Sequence, residues 1–333
     1  MESKIVYKHI RILNWWTDDV WYIGCRTSPQ NMISGKGSAN PFKLLRPTYK
    51  HWYADPIPFL MKGKQYIFME VYDRFEKKGY IGVSSVNSKD LTIEKPVKIM
   101  EEPFHMSFPY IFHYQGEVYM IPETHEARQI RIYKMGGSIY EWSLYHAYDT
   151  QAELSDTIVL SKDPIIYLLN TEKNAKNPYQ TKMHLFKIEN LADKSGLIEI
   201  PIQMTASDAQ EYSYDNRNGG TLVKDKNKLY RIIQEAEDRW YGKDIVAREI
   251  FQFGDNGYVE SADIVKLEAD KMPLNIKKKH EILGMHTYGY VDGFEVIDIN
   301  VRQLSYVMFR AFVQRNLKKL RKKGTVDKIQ KKA

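Results

Sequence analysis

Two aspartates, Asp55 and Asp156, each lie close to the start of a predicted β-strand, at matching positions of a repeated unit. Two carboxyl groups that face one pocket can serve as acid and base, or as acid and nucleophile, in the cleavage of a glycosidic bond. Glu123 and His286 lie at strand ends in two further copies of the unit, and each can hold a proton for donation. These four residues are the candidate catalytic groups.

Polar and aromatic side chains near these groups are candidates for binding a sugar. Sugar hydroxyls need hydrogen-bond partners, and aromatic rings pack on the faces of pyranose rings. The 24 Tyr, 13 Phe and 6 Trp of the chain fit such a site, and they equally fit β-strands. The candidate substrate-binding residues are Tyr53, Ser107, Tyr110, Arg217, Gln234, Tyr241 and Thr287.

Each catalytic candidate also has a purely structural explanation. Asp55 precedes a proline and Asp156 follows a serine, so both aspartates fit turn caps as well. His286 fits a hydrogen-bonded structural histidine, and Glu123 fits a buried hydrogen-bond acceptor. The sequence leaves these alternatives open, and the shared repeat position of the two aspartates is what favours function.

The candidates are positioned by a hairpin that recurs along the chain. Each copy is a strand, a polar or glycine-containing turn and a second strand, and the first four copies are followed by a further strand. The copies span residues 53–70, 107–123, 154–169, 219–234 and 286–298. Three to four strands for each of five copies predict an all-β fold, a five-bladed β-propeller. We expect an early strand near 20–25 to complete the last blade.

In a propeller, the innermost strand of each blade lines the central channel, so the starts of these strands converge at one mouth. The propeller therefore predicts that residues far apart in the chain meet in a single polar site. A β-sandwich also contains many short strands, but it does not predict a hairpin that recurs with the same first-strand pattern.

The net charge of +7 comes from the C-terminal segment of the chain. Residues 302–333 contain eleven Lys or Arg and one acidic residue, whereas residues 1–301 contain 38 basic and 41 acidic side chains. Nucleic-acid binding by the body is therefore not expected. Apolar residues from Leu304 to Phe312 follow a helical spacing, and the chain beyond them is basic. We therefore divide the chain into a propeller, residues 1–301, and an amphipathic helix with a basic tail, residues 302–333. The segment 302–323 either packs on the propeller or binds an anionic membrane surface.

Several classes of protein are disfavoured. A single cysteine, Cys25, excludes an internal disulfide framework and a multi-cysteine metal site. The sequence has no phosphate-binding loop, no dinucleotide-binding glycine motif and no zinc-protease motif, so we expect neither a metal nor a cofactor. Without an apolar run of 18 residues or a signal peptide, the expected location is cytoplasmic, with peripheral attachment at the inner face of the membrane.

Three segments together resemble a known domain. They are Tyr53-Ala-Asp-Pro, Glu102-Pro-Phe-His-Met-Ser-Phe-Pro-Tyr-Ile-Phe and Tyr119-Met-Ile-Pro-Glu. Over roughly residues 50–300 the chain resembles the N-terminal propeller domain of plant glucosamine inositolphosphorylceramide transferases, which also occurs in bacterial polysaccharide-biosynthesis proteins. That domain is similar to the five-bladed arabinanase, xylosidase and levansucrase clan of glycoside hydrolases.

The resemblance implies roles for both aspartates. Asp55 matches the clan's base or nucleophile, and Asp156 matches its orienting carboxylate. The glutamate of the clan's Glu-Gly-Pro motif, the general acid, has no counterpart, because the corresponding strand here begins Asn216-Arg-Asn. The implied function is glycosyl hydrolysis or transfer on an oligosaccharide or lipid-linked glycan, in surface polysaccharide or glycolipid biosynthesis. The alternative is a non-catalytic glycan-binding or scaffolding module that partners a glycosyltransferase.

Overall fold

The protein is described by a computed structural model that covers residues 17–35, 37–202, 212–237, 240–276 and 280–304. Within these ranges the chain is almost entirely β-structure, arranged as five antiparallel sheets of four or five strands. Each sheet is one blade, and the blades surround a central channel. This arrangement confirms the predicted five-bladed β-propeller.

The strands follow the chain around the ring, one blade after another. The closing blade begins with β1 (Thr17–Thr27) and β2 (Lys43–Leu45). Blade I contains β3 (His51–Met61), β4 (Lys64–Asp73), β5 (Lys78–Val86) and β6 (Val97–Met100). Blade II contains β7 (Ser107–Tyr114), β8 (Glu117–Glu123), β9 (Gln129–Met135) and β10 (Trp142–Asp149). Blade III contains β11 (Leu154–Lys162), β12 (Ile165–Lys173), β13 (Thr181–Ile188) and β14 (Ile198–Ile200).

The fourth blade and the end of the closing blade complete the ring. Blade IV contains β15 (Val223–Asp225), β16 (Lys228–Glu237), β17 (Trp240–Gly254), β18 (Gly257–Glu260) and β19 (Val265–Leu267). The closing blade ends with β20 (Glu281–Gly284), β21 (Tyr288–Val291) and β22 (Phe294–Leu304). Among the described residues, the helices are short 3₁₀ turns at Met32–Ser34, His125–Ala127 and Ala269–Lys271.

The ring is closed by pairing the two ends of the propeller. Strand β1 pairs with β22 along its whole length, from Thr17 opposite Leu304 to Thr27 opposite Phe294. The predicted strand near 20–25 lies within β1 and is buried. Because β1 pairs with β22, the first and last strands belong to one sheet, and the ring has no open gap between its ends. Strand β2 lies on the other side of β1.

A β-bulge recurs at the start of the innermost strand in three blades. The strand register shifts between Ala54 and Ile57 in β3, and equivalent shifts occur in β7 and β11. The extra residue has a positive φ in each case: 52° at Asp55, 43° at Phe108 and 50° at Asp156. Aspartate tolerates this left-handed conformation better than most residues, and a bulge redirects the side chain of the strand that carries it. The shared repeat position of the two aspartates is therefore a shared backbone geometry.

The core consists of apolar clusters between neighbouring blades. Phe68 of blade I and Met120 of blade II belong to one cluster, and Ile23 of the closing blade and Met69 of blade I belong to another. All four side chains are fully buried. Close packing of adjacent blades fixes their relative positions and so holds the five inner strands around the channel.

The first three residues of the predicted C-terminal segment belong to the last strand of the propeller. Residues 302–304 belong to β22, and the helix predicted beyond them lies outside the residues that the structure describes. Within the described ranges, none of the helices has the length and apolar character needed to span a membrane.

Candidate active site at the channel mouth

The described residues of all five blades contribute to a pocket of about 560 Å³ at one mouth of the channel. We call it the mouth pocket. Three carboxyl groups, those of Asp55, Glu70 and Glu123, line it together with His286 and Arg217. Each of these carboxyl residues is no more than 6% exposed. The sequence-predicted candidates Asp55, Glu123 and His286 therefore do converge.

The Asp55 carboxylate is fixed by two neighbouring blades. Its Oδ2 accepts a hydrogen bond from the Phe108 amide at 3.1 Å, and its Oδ1 accepts one from the Thr287 hydroxyl at 3.1 Å. Burial raises the pKa of Asp55, and the neighbouring His286 opposes this effect. A carboxylate with fixed orientation and raised basicity is suited to act as a base or nucleophile.

His286 belongs to a hydrogen-bonded network with Asp298. Its Nδ1 lies 2.5 Å from Asp298 Oδ2 and 3.7 Å from Asp55 Oδ1. Burial lowers the pKa of His286, but the charge and hydrogen bond of Asp298 outweigh it, so the net shift is upward. Asp298 also accepts the amide hydrogens of Asp55, His286 and Thr287. Asp298 thus holds both Asp55 and His286 in place.

Asp156 lies below the pocket and is joined to it by Arg217. The Arg217 guanidinium donates to Asp156 through Nε, and its Nη2 lies 3.7 Å from Glu123 Oε2. Burial raises the pKa of Asp156 to about 7, although Arg217 acts in the opposite direction. Arg217 lies between β14 and β15, in the segment Asn216–Asn218 that has no Glu-Gly-Pro glutamate. Two carboxyl groups therefore face a cation here.

Glu123 is held in its ionised form. Its Oε1 lies 2.6 Å from Nδ1 of His125. Burial raises the pKa of Glu123, but His125, Lys173 and Arg217 together lower it well below its usual value. The same pairing raises the pKa of His125. At neutral pH, Glu123 is therefore a carboxylate, and it is poorly suited to donate a proton.

Aromatic rings form the walls of the mouth pocket. Trp52 stacks on Tyr72 with ring centroids 4.3 Å apart, and Trp21 stacks on His286 at 3.8 Å. Tyr241, which is 42% exposed, lies under the Arg217 guanidinium at 4.9 Å. Flat apolar faces above polar groups match the two surfaces of a sugar ring.

Three of the seven predicted substrate-binding residues line the mouth pocket, and the other four do not. Ser107, Arg217 and Tyr241 line the mouth pocket, whereas Thr287 lies behind Asp55 and contacts it. The others lie outside the lining: Tyr53 and Tyr110 pack in the core, and Gln234 is buried with its amide nitrogen donating to the Asn218 carbonyl.

The sequence interpretation omitted Glu70, which lines the pocket from the end of β4. A signal for it was present. Glu70 pairs with Ala54 in blade I just as Glu123 pairs with Ser107 in blade II, so both glutamates lie on the second strand of their hairpin, opposite the residue that precedes the bulge. His125 follows Glu123 by two residues, but no local pattern distinguished this side chain or Lys173.

Asp55, His286 and Asp298 each place a potential metal-ligand atom within 4.8 Å of the others. These atoms are already engaged within the protein, because both oxygens of each carboxylate accept hydrogen bonds and His286 Nδ1 contacts Asp298. The donor set therefore fits a hydrogen-bonded network within the protein better than a cation site, in which the carboxylates would face the ion.

Solved structures share the propeller. The Bacteroides ovatus xyloglucan PUL GH43B superposes with a TM-score of 0.51 at 11% identity, over 72% of this chain and 52% of that one. The alpha-L-arabinofuranosidase from Lactobacillus brevis superposes with a TM-score of 0.50 at 12% identity, over 74% of this chain and 82% of that one. These similarities establish the fold.

Sequence relatives identify the family. "Glucosamine inositolphosphorylceramide transferase 1" of Arabidopsis thaliana is 25% identical over 265 residues, and its namesake of Oryza sativa subsp. indica is 25% identical over 262 residues. The alignments cover 74% and 77% of this chain, and the chain spans about a third (32%) of each relative's length. The family described as "Glucosamine inositolphosphorylceramide transferase 1, N-terminal" matches residues 46–286. The chain therefore belongs to this family and has the propeller fold that it shares with family-43 glycoside hydrolases.

Proposed function

We propose that the mouth pocket binds a glycosyl unit of an oligosaccharide or lipid-linked glycan and catalyses its hydrolysis or transfer. The observation that carries this proposal is the placement of Asp55 and Glu70 together in a pocket with aromatic walls. Their strands, β3 and β4, are hydrogen-bonded neighbours, and Ala54 pairs directly with Glu70. Two adjacent carboxyl groups beneath flat apolar surfaces suit acid–base chemistry on a sugar.

In this proposal Asp55 is the base or nucleophile. Its two oxygens are oriented by Phe108 and Thr287, so the carboxylate needs little reorganisation to react. Asp156 lacks access to the pocket and acts through Arg217 as a positioning group. Of the proton donors considered from the sequence, Glu123 is ionised, and His286 has its Nδ1 occupied by Asp298.

The comparisons support carbohydrate as the substrate class. The relatives are named as glucosamine inositolphosphorylceramide transferases, and the structural neighbours bear the names of proteins that act on glycans. A role in surface polysaccharide or glycolipid biosynthesis follows from these names as part of the proposal. A cytoplasmic location at the inner face of the membrane belongs to the same proposal and is based on the basic C-terminal segment.

Substitution of Asp55 by Asn tests the proposal. Turnover of an aryl-glycoside and oligosaccharide panel, followed by product NMR, is expected to disappear in Asp55→Asn, while calorimetry still detects binding of the same ligands. Stability should fall by about 1 kcal/mol, corresponding to one lost hydrogen bond at the Phe108 amide. Asp263→Asn, at an exposed aspartate outside the pocket, is the matched control and should retain full activity. Full activity of Asp55→Asn would refute the proposal.

A second candidate function is a non-catalytic glycan-binding module. The specific observation in its favour is that Arg217 pairs with both Asp156 and Glu123, so a single cation engages two of the carboxyl groups near the mouth. The same experiment separates the two functions. Binding of oligosaccharides by the parent protein without any turnover favours the module, and turnover that depends on Asp55 favours the enzyme.

A further inference from the structure

Glu70 has a carboxyl oxygen, Oε1, that is buried and accepts no hydrogen bond from the described residues. Glu123 Oε2 also accepts none, but it lies 3.7 Å from Nη2 of Arg217. Asp55 accepts two hydrogen bonds, and Glu123 is paired with His125. A buried carboxylate without hydrogen-bond donors is costly, whereas a protonated carboxyl group is much less so.

The surroundings of Glu70 favour its neutral form. Burial is the main cause that raises its pKa well above the usual value, and the negative charges of Asp55, Glu123 and Asp298 add to the rise. Arg217 is the principal opposing charge, but it donates to Asp156 and lies beside Glu123. Glu70 therefore keeps its proton at pH values at which Glu123 has lost its own.

His105 orients the Glu70 carboxyl group. The Gly79 amide donates to Nδ1 of His105 at 3.0 Å, so Nδ1 is the acceptor and the ring hydrogen lies on Nε2. Nε2 is 3.4 Å from Glu70 Oε1. Burial lowers the pKa of His105, which keeps the ring neutral in this tautomer. Because Nε2 carries the ring hydrogen and lies near Oε1, a proton on that oxygen is disfavoured, and the acidic proton of Glu70 belongs on Oε2.

We infer that Glu70 is the general acid of the mouth pocket and that His105 is its positioning residue. This inference rests on the proposed function. It supplies the proton donor for which this chain lacks the Glu-Gly-Pro glutamate, and it places that donor on the blade that carries Asp55.

The reaction balances with these two groups. The Glu70 O–H bond breaks as a bond forms between that hydrogen and the glycosidic oxygen, and the bond from this oxygen to the anomeric carbon breaks. Glu70 is left as a carboxylate. If Asp55 attacks the anomeric carbon, the glycosyl–Asp55 ester bond that forms is broken when water or an acceptor hydroxyl attacks the same carbon, and Glu70 takes the proton of that nucleophile. If Asp55 instead takes the proton of the attacking water or hydroxyl, Asp55 releases it to solvent and Glu70 regains one from solvent, so no oxidant or reductant is consumed.

The leaving-group dependence of Glu70→Gln tests this role. Gln has the size of a protonated glutamate but cannot donate an acidic proton. Cleavage of alkyl or phenyl glycosides, which need protonation of the leaving oxygen, should fall by roughly 10²- to 10⁴-fold, whereas cleavage of dinitrophenyl glycosides should fall far less. Glu76→Gln, at an exposed glutamate on the β4–β5 turn, is the control and should leave both activities unchanged.

The pH profile provides a readout that a purely structural role would not move. With poor leaving groups, the parent should lose activity as Glu70 ionises at alkaline pH, and Glu70→Gln should lack this limb. His105→Leu removes the Nε2–H dipole that lies near Oε1 and favours the ionised form of Glu70, so the alkaline limb should shift to higher pH.

The outcomes distinguish this inference from the proposed function. If the parent turns over glycosides and Glu70→Gln retains full activity on poor leaving groups, Glu70 is not the acid and the proposed function stands. If the parent binds glycans but turns over none, both fail. Should Glu70→Gln not fold, an infrared pH titration of Asp156→Asn decides the matter. Asp156, whose pKa is about 7, no longer contributes in that variant, so a protonated carboxyl band must remain at neutral pH, and its absence overturns the assignment.

Discussion

Arg217 provides the sharpest test of the electrostatics beneath the mouth pocket. It joins Asp156, which is 1% exposed, to Glu123, which is 4% exposed. Replacing Arg217 by Met keeps most of the side-chain volume but removes the cation, so two buried carboxyl groups lose their shared partner. We expect Arg217→Met to fold with clearly reduced stability at alkaline pH.

The size of the loss follows from the burial of the pair. Removing one partner of a buried ion pair costs about 3–5 kcal/mol. The Arg217 side chain is 16% exposed and borders the pocket, so water can partly solvate the carboxyl groups after the substitution. We therefore expect a loss near the lower limit, about 3 kcal/mol at pH 8.5.

The pH dependence has a definite sign. In the folded parent, burial raises the pKa of Asp156 from 3.8 to about 7, so this carboxyl group favours the folded state at low pH, and that contribution is lost as pH rises to about 7. Without Arg217 the pKa of Asp156 rises further, so the free energy of unfolding continues to fall up to a higher pH. If the pKa rises by one unit, the difference in unfolding free energy between variant and parent is about 1.2 kcal/mol smaller at pH 6 than at pH 8.5.

Urea unfolding at pH 6 and pH 8.5 measures these differences. Arg302→Met is the control, because the Arg302 side chain is 33% exposed and forms surface ion pairs with Asp19 and Glu281. Its loss should stay below about 1 kcal/mol and should not depend on pH in this range. Two results would contradict the pairing of Arg217 with Asp156 and Glu123: a loss of unfolding free energy in Arg217→Met as small as that of the control, or a loss that grows as pH falls.

Three further predictions test other parts of the structure. Gly220→Ala should destabilise the protein by more than about 2 kcal/mol in thermal or urea unfolding, because a Cβ would lie 1.9 Å from the Tyr288 carbonyl oxygen where blade IV meets the closing blade; an unchanged melt would refute this close approach. Trp52→Ala should weaken glycan binding by about 1 kcal/mol in calorimetry while the fold is retained, and undiminished affinity would remove the Trp52–Tyr72 stack from the binding surface. Deletion of residues 316–333 should release the protein from anionic vesicles in sedimentation, and equal sedimentation of both forms would count against membrane attachment.

The propeller was predictable because its hairpins repeat. Alternating apolar and polar residues around short turns identify strands locally, and five copies of one hairpin fix the number of blades. Asp55 and Asp156 were found for the same reason: each occupies the left-handed bulge residue of its innermost strand. Local backbone geometry that repeats leaves a pattern in the sequence.

The rest of the site depends on contacts that the sequence does not encode locally. Tyr53 and Tyr110 match the pattern of strand residues near the bulges, but their rings pack in the core, since a bulge changes the face that its neighbours occupy. Trp21 meets His286 only because β1 closes the ring against β22. Glu70 occupies the same hairpin position as Glu123, which is a pattern visible in the sequence. That its Oε1 is buried without a hydrogen-bond partner can be seen only in the three-dimensional structure.

The most direct test of the central claim is a crystal structure of Asp55→Asn with a bound oligosaccharide. The account predicts a sugar ring against the aromatic wall of the mouth pocket, its anomeric carbon next to residue 55 and its glycosidic oxygen about 2.6–3.2 Å from Glu70. A glycan bound elsewhere on the propeller, or one in the pocket with its glycosidic oxygen far from both residues, would contradict it.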